Sequence, residues 1–242
     1  MTGRRALSYI GACALLAACP GPRKLAPLVP MALAPADRDS AARWARSTPP
    51  RTPTAIRFRW RYQDERVKYA GRGTARIAPP DSLRFDYVGP LGWGSGAAVV
   101  IGDSVAWADP DKNFRSLVPA IPMLWASFAM ARPPGGDAAV FGTRLVDSTS
   151  QRRRTIWRFA QVEDTLEYVV TDSAGRVLRL EAEWRRRGTT VARSRSQLDP
   201  LGSGHAADAR VDFPEAPARL ELTVVAVDTA AVIPPALWRS RR

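Results

Sequence analysis

From Ala55 the chain alternates in steps of two. Ile56, Phe58, Trp60 and Tyr62 take turns with Arg57, Arg59 and Arg61, which puts one apolar and one cationic face on a single strand. Val67, Tyr69, Gly71, Gly73, Ala75 and Ile77 continue the pattern against Lys68, Arg72, Thr74 and Arg76, with glycines thinning the inner face. After the Pro79-Pro80-Asp81 turn, Leu83, Phe85 and Tyr87 predict a third strand. Segments around Val99 and from Val105 to Trp107 predict two more, joined at Gly102-Asp103. The period then changes. Between Leu117 and Ala131, after Pro119 and Pro122, the residues Met123, Leu124, Trp125, Phe128 and Met130 recur at helical spacing and stop at Pro133-Pro134-Gly135-Gly136. Strands resume from Val140 and run to Val227; among them Leu178, Leu180, Ala182 and Trp184 alternate with Arg179, Glu181, Glu183 and Arg185. About eleven strands around one apolar helix predict a mainly β fold: a strongly curved antiparallel sheet with one wet face and one face covered by the helix.

The N-terminus has a different grammar. Arg4 and Arg5, a mostly small and apolar run from Ala6 to Ala18, and then Leu16-Ala17-Ala18-Cys19 read as a lipoprotein signal peptide over residues 1–18. The run falls short of the roughly 20 apolar residues needed to span a bilayer. A cysteine directly after Leu-Ala-Ala is where such signals place the thiol that is acylated, so Cys19 is the expected lipid attachment site. Several acyl chains, at about 0.8 kcal/mol per buried methylene, hold a protein durably on a membrane. The eight prolines between Pro20 and Pro53 predict an extended tether over residues 19–53. Within it, Ala36 to Arg46 reads as a short docked helix with Asp37 near its start and Trp44 as its large apolar residue. The β domain then occupies residues 54–234, and residues 235–242 form a basic tail. With Pro20 rather than aspartate after the acylated cysteine, the outer membrane, facing the periplasm, is the expected location.

Composition narrows the chemistry. Cys13 leaves with the signal and Cys19 carries lipid, so the exported domain is expected to fold without a disulfide. One histidine, His205 in a Gly-Ser-Gly-His loop, leaves a zinc site or a histidine triad without its parts, and no metal or cofactor is expected. The acidic pairs Glu181/Glu183, Asp109/Asp111 and Glu163/Asp164 read as solvent-facing and sit among arginines that keep them ionised, so no catalytic residue and no enzyme activity are expected. The formal charge of +13 is almost all arginine, with lysine only at Lys24, Lys68 and Lys112. A basic exported protein on an acyl anchor faces anionic head groups, at about 1 kcal/mol per basic residue near the surface. Nucleic acid is excluded as a partner, because the arginines sit along strands rather than in one tract interleaved with aromatics.

At Gly89-Pro90-Leu91-Gly92, after a long first hairpin and a Pro-Asp-x-x-Arg strand (Pro80, Asp81, Arg84), the sequence resembles the LolA/LolB-like family of lipoprotein carriers and receptors, LolB in particular. The similarity continues through Ile121-Pro122, the apolar helix up to Pro134-Gly135, and the closing strands from Pro214 to Pro234. It covers most of residues 55–234 thinly, and the order of elements behind a lipobox carries it rather than any one motif. The resemblance implies a half-open antiparallel β-barrel with a helical plug, a concave face that holds acyl chains, and a protruding leucine that enters the membrane to release them. Leu91 falls at that position. Gly89, Pro90, Leu91, Gly92 and Trp93 also form, on their own chemistry, an apolar tip on a flexible turn, with tryptophan suited to a membrane interface. The Gly-rich continuation after Leu91 and the arginine tail from Trp238 do not align with LolB.

Phe58, Trp60, Phe85, Tyr87, Trp107, Leu124, Trp125 and Phe128 are the expected wall of an acyl-binding cavity. The expected partners are an acylated lipoprotein or lipid, a LolA-like periplasmic carrier, and the membrane through the anchor, for a monomeric protein. The alternative from the same sequence is a structural or regulatory envelope lipoprotein with a solidly packed core that binds a protein or anionic lipid.

Overall fold

The computed structural model describes residues 25–90, 94–111, 121–147, 149–199 and 204–239. Cys19, and Leu91, Gly92 and Trp93, lie outside these residues. The described strands are β1 (Ala34–Pro35), β2 (Thr54–Gln63), β3 (Lys68–Ala78), β4 (Ser82–Val88), β5 (Ser95–Ile101), β6 (Ser104–Asp109), β7 (Ala139–Val146), β8 (Arg152–Ala160), β9 (Asp164–Ser173), β10 (Arg176–Arg186), β11 (Thr189–Leu198), β12 (Ala206–Phe213) and β13 (Ala218–Asp228). They form one antiparallel sheet in the order β1-β7-β8-β9-β10-β11-β12-β13-β2-β3-β4-β5-β6. Chain neighbours pair with each other except at the edge, where β1 joins β7, and where β13 returns to β2, which joins the two runs of hairpins into one open, half-closed barrel. Helix α1 (Arg38–Arg46) and helix α2 (Ile121–Ala126) lie against its concave face.

The two-residue period sets the faces. Trp157, Tyr168, Ala182, Ser194, Val211, Leu220 and Tyr62 form one cross-strand row on the concave side from β8 to β2. One residue along, Arg158, Glu167, Glu183, Arg193, Asp212 and Arg219 form the matching row on the convex side. The glycines of β3 make room on the concave side: a Cβ at Gly73 would enter the ring of Phe58, and one at Gly71 would enter the indole of Trp60. The aromatic rings therefore lie flat across the neighbouring strand instead of standing off it, a packing that needs glycine beneath it.

Helix α1 begins where expected. The carboxylate of Asp37 accepts from Ser40 Oγ (2.6 Å) and from the backbone N–H of Ser40 (2.8 Å) and Asp39, and these bonds, the Ser40 hydroxyl's first, hold its pKa below the usual carboxylate range. Helix α2 ends earlier than the periodicity predicts. Ala129 adopts φ +61°, and Met130 N donates to Trp125 O (3.1 Å) while Ala129 N donates to Ala126 O (2.9 Å), a closure that turns the chain out of the helix before Phe128 and Met130 can continue it. Both side chains are buried all the same.

The stretch read as a tether is partly structured. Residues 26–31 cross the convex face: Val29 packs on Ile156 and Val169, Arg158 donates to Val29 O and Met31 O (both 3.3 Å), and Arg193 donates to Ala26 O. The chain then pairs at the β7 edge through Ala34↔Gly142 and passes to the concave side as α1. Beneath this strap, Glu181 and Glu183 are buried rather than solvent-facing, at 6% and 0% exposure. Glu183 pairs with Arg193 and Arg185 and accepts from Leu28 N; Glu181 pairs with Arg195 (2.8 Å). Glu167, also fully buried, pairs with Arg158 and Arg185, yet burial outweighs both arginines and pushes its carboxyl pKa up.

Candidate functional site

The concave face under the plug gathers seven of the eight residues expected to line a cavity. Phe58 stacks on Phe85 (ring centroids 5.3 Å), and Phe128 reaches from the plug to both, at 5.8 and 6.4 Å. Tyr87 continues the set beside Phe85 (6.1 Å), and Trp60 meets Tyr87 edge to face (6.4 Å). Leu124 and Trp125 come down from α2 into the same core, Trp125 with no exposed surface. The aromatic wall is therefore covered by plug side chains in this conformation.

Trp107 is on the other side of the sheet. It pairs with Val99, which pairs with Arg84, and its indole donates to Trp238 O (3.0 Å) beneath the C-terminal 3-10 helix (Pro235–Trp238). Strict alternation from Val105 would have kept Trp107 on the concave side. The pairing Val100↔Val105 followed by Val99↔Trp107 leaves Ala106 as the extra residue of a bulge, and the face reverses there.

A second aromatic group, absent from the sequence reading, covers the β7–β9 side. Trp44 from α1 lies 6.0 Å from Trp157 and 5.5 Å from Tyr168, and Tyr168 meets Phe159 at 6.2 Å. Its sequence signal is the alternation of Trp157 and Phe159 on β8. The partner Tyr168 becomes visible only through the β8–β9 register.

Among the described residues, the plug is held by few polar ties. Trp125 Nε1 donates to Gly102 O (2.8 Å), Ser196 Oγ donates to Ala126 O, and Ala131 N donates to Thr48 Oγ1 (2.8 Å). Arg132 closes the exit: its backbone N–H donates to Tyr168 OH (3.0 Å), its guanidinium lies 4.5 Å over the Trp125 ring, and it also donates to Pro80 O. Burial lowers the pKa of Arg132 and raises that of the Tyr168 phenol, which stays protonated.

Of the expected release loop, Gly89 is buried and Pro90 exposed, and Gly89 N donates to Gly94 O (3.2 Å), so the loop is closed at its base. Among the described residues, no helix is long and apolar enough to cross a membrane.

No protein-family model matches the sequence, and no curated protein matches it. Solved structures do match in shape. A LolA superfamily protein from Nitrosomonas europaea superposes with a TM-score of 0.56 at 11% identity, over 85% of this chain and 98% of that one. A domain assigned to outer-membrane lipoprotein sorting in Vibrio parahaemolyticus gives a TM-score of 0.49 at 9% identity, over 83% and 97%. A DUF1329 family protein from Desulfovibrio piger gives 0.45 at 10% identity, over 83% and 95%. The open thirteen-stranded sheet with helices on its concave face defines an open-barrel class of fold. It is, more narrowly, a LolA/LolB-like fold.

Proposed function

We propose that the protein is a lipid-anchored carrier or receptor of the cell envelope. It takes the acyl chains of lipoproteins or lipids onto its concave face and hands them to the outer membrane. The observation that carries this reading is the plug. The described helical turns of α2 are too short to be stable alone, so the plug stays in place through the burial of Met123, Leu124 and Trp125, the packing of Phe128 on Phe58 and Phe85, and, among the described residues, a handful of polar ties. Displacing it uncovers an apolar, aromatic surface that acyl chains can refill at about 0.8 kcal/mol per buried methylene. Affinity then comes from apolar burial with few polar contacts, and release becomes the difficult step. Leu91, the expected release residue, offers the chains a way into the bilayer, and Cys19 keeps the domain beside it. A LolA-like periplasmic carrier is the expected donor. The reading involves no catalytic step.

One observation favours a second reading, a structural or regulatory envelope lipoprotein with a solid core: the wall residues already touch one another and the plug. A transfer assay separates the two. The Cys19→Ser chain is loaded with a fluorescent triacylated lipopeptide and mixed with liposomes. The carrier reading predicts that the chain keeps the lipopeptide soluble and passes it on, and that Leu91→Glu slows the transfer while leaving the loading intact. A chain that never solubilises the lipopeptide contradicts it.

A further inference from the structure

We infer that the convex face of β2 and β3 is a docking surface for anionic phospholipid head groups. Arg57, Arg59 and Arg61 on β2, with Lys68 and Arg72 on β3, are all exposed on this face, and Arg59 stands directly opposite Arg72. Like charges directly opposite each other on a sheet are destabilising, so this arrangement favours an anion from outside.

Arg152 and Arg154 on β8 are also exposed on the convex face without an ion pair among the described residues, whereas the convex arginines beside the two segments that cross this face are met by partners. Under the N-terminal strap, Arg158 and Arg193 are met by buried glutamates and strap carbonyls. On β4, Arg84 pairs with Asp86 (2.7 Å) and donates to Leu237 O of the C-terminal segment. Between the two covered regions lie β13, β2 and β3. Among the described residues, Arg57, Arg59, Arg72 and Lys68 make no ion pair, and Arg61 has only Glu221 at 3.9 Å. The nearby acids are few. Glu65 is exposed at the β2–β3 turn, and Asp64 there is occupied by Arg66 N, Val67 N and Tyr62 OH.

A second observation places the bilayer at this part of the molecule. Leu25 lines a cleft of about 300 Å³ together with Gln63 at the end of β2, Asp64 and Glu65 of the β2–β3 turn and Pro214 and Pro217 of the β12–β13 turn. Cys19 is six residues earlier, a reach of at most roughly 20 Å. An acyl anchor at Cys19 therefore holds the β2–β3 hairpin close to the head groups. Arg72 also pairs with Val88, the last residue before the Gly89-Pro90 turn, so the cationic strip runs up to the base of the loop assigned to release. The proposal deepens the anchored-carrier reading by naming the surface that meets the bilayer, and it rests on that reading for the anchor.

The test is co-sedimentation of the Cys19→Ser chain with vesicles of phosphatidylcholine alone and of phosphatidylcholine mixed with phosphatidylglycerol. Binding is expected to the mixed vesicles only, and to weaken with added salt. Arg59→Gln/Arg72→Gln is expected to bind about thirtyfold more weakly, at about fivefold per arginine. The charge-matched Arg152→Gln/Arg154→Gln, on β8, is expected to stay near wild type. Arg57→Gln/Arg61→Gln repeats the test within the strip, and thermal melts verify the fold of each variant. Equal partition onto both vesicle types, unchanged binding by the strip variants, or an equal loss in the β8 variant overturns the proposal. So does binding to polyglutamate with none to the mixed vesicles, which would assign the strip to an acidic protein. Lipopeptide loading by the same variants separates the two claims. Vesicle binding that follows the arginines while no chain loads lipopeptide sinks the carrier reading and leaves the head-group surface standing.

Discussion

Trp125→Ala is expected to destabilise the domain by about 3–5 kcal/mol, among the largest effects a single substitution can have here. Trp125 has no exposed surface and fills the centre of the concave face. Its removal leaves a cavity between α2 and the sheet, strips Gly102 O of its indole donor, and takes away the ring over which the half-buried guanidinium of Arg132 lies. Arg132 also ties the end of the plug to Tyr168 and Pro80, so the damage spreads along the segment that covers the wall. Denaturant unfolding of the Cys19→Ser chain, with and without Trp125→Ala, measures it. A loss below about 1 kcal/mol would mean that the plug collapses into the vacated space and that its packing is far looser than described.

Glu183→Ala is expected to cost a similar amount, about 3–5 kcal/mol, from the opposite face. The carboxylate is fully buried between Arg193 and Arg185, whose side chains are only 15% and 16% exposed. Truncation leaves both guanidinium groups without that counter-charge under a strap, and Leu28 N loses its acceptor. Residues 26–31 are then expected to lose hydrogen-exchange protection together with global stability. Glu163→Ala provides the contrast. Its pair with Arg187 joins side chains 51% and 74% exposed, and its removal is expected to change stability by no more than about 0.5 kcal/mol.

The difference between these two glutamates was not legible along the chain: Glu163 sits in the β8–β9 turn, Glu183 alternates with Ala182 and Trp184 on a strand that looks half wet, and both read as solvent-facing among arginines. What buries Glu183 is a segment more than 150 positions away in sequence. That segment is rich in proline, and proline removes backbone donors, which is why residues 19–53 read as a tether. Proline keeps its carbonyl, however, and leaves the neighbouring carbonyls free. The strap is held through those acceptors, by arginines that project from the sheet. The local patterns fared differently. Phe58 and Trp60 on β2, Phe85 and Tyr87 on β4, and the cap at Asp37 all follow from period and turn chemistry and are found where those rules put them. Trp107 is misplaced by a single-residue bulge at Ala106, which alternation cannot register. The end of α2 was hidden for a similar reason: an alanine, Ala129, adopts the left-handed conformation that is normally signalled by glycine. The pairing of Trp44 with Trp157 and Tyr168 is long-range and needs the register of two strands and the placement of a helix.

The central claim is that the concave face exchanges its plug for acyl chains. Native mass spectrometry of the Cys19→Ser chain mixed with a triacylated lipopeptide tests it most directly. A one-to-one complex that survives desolvation is the predicted result. A chain that stays at its unliganded mass across a range of lipopeptide concentrations, with no co-purified lipid, would contradict the account and leave the solid-core envelope protein as the better one.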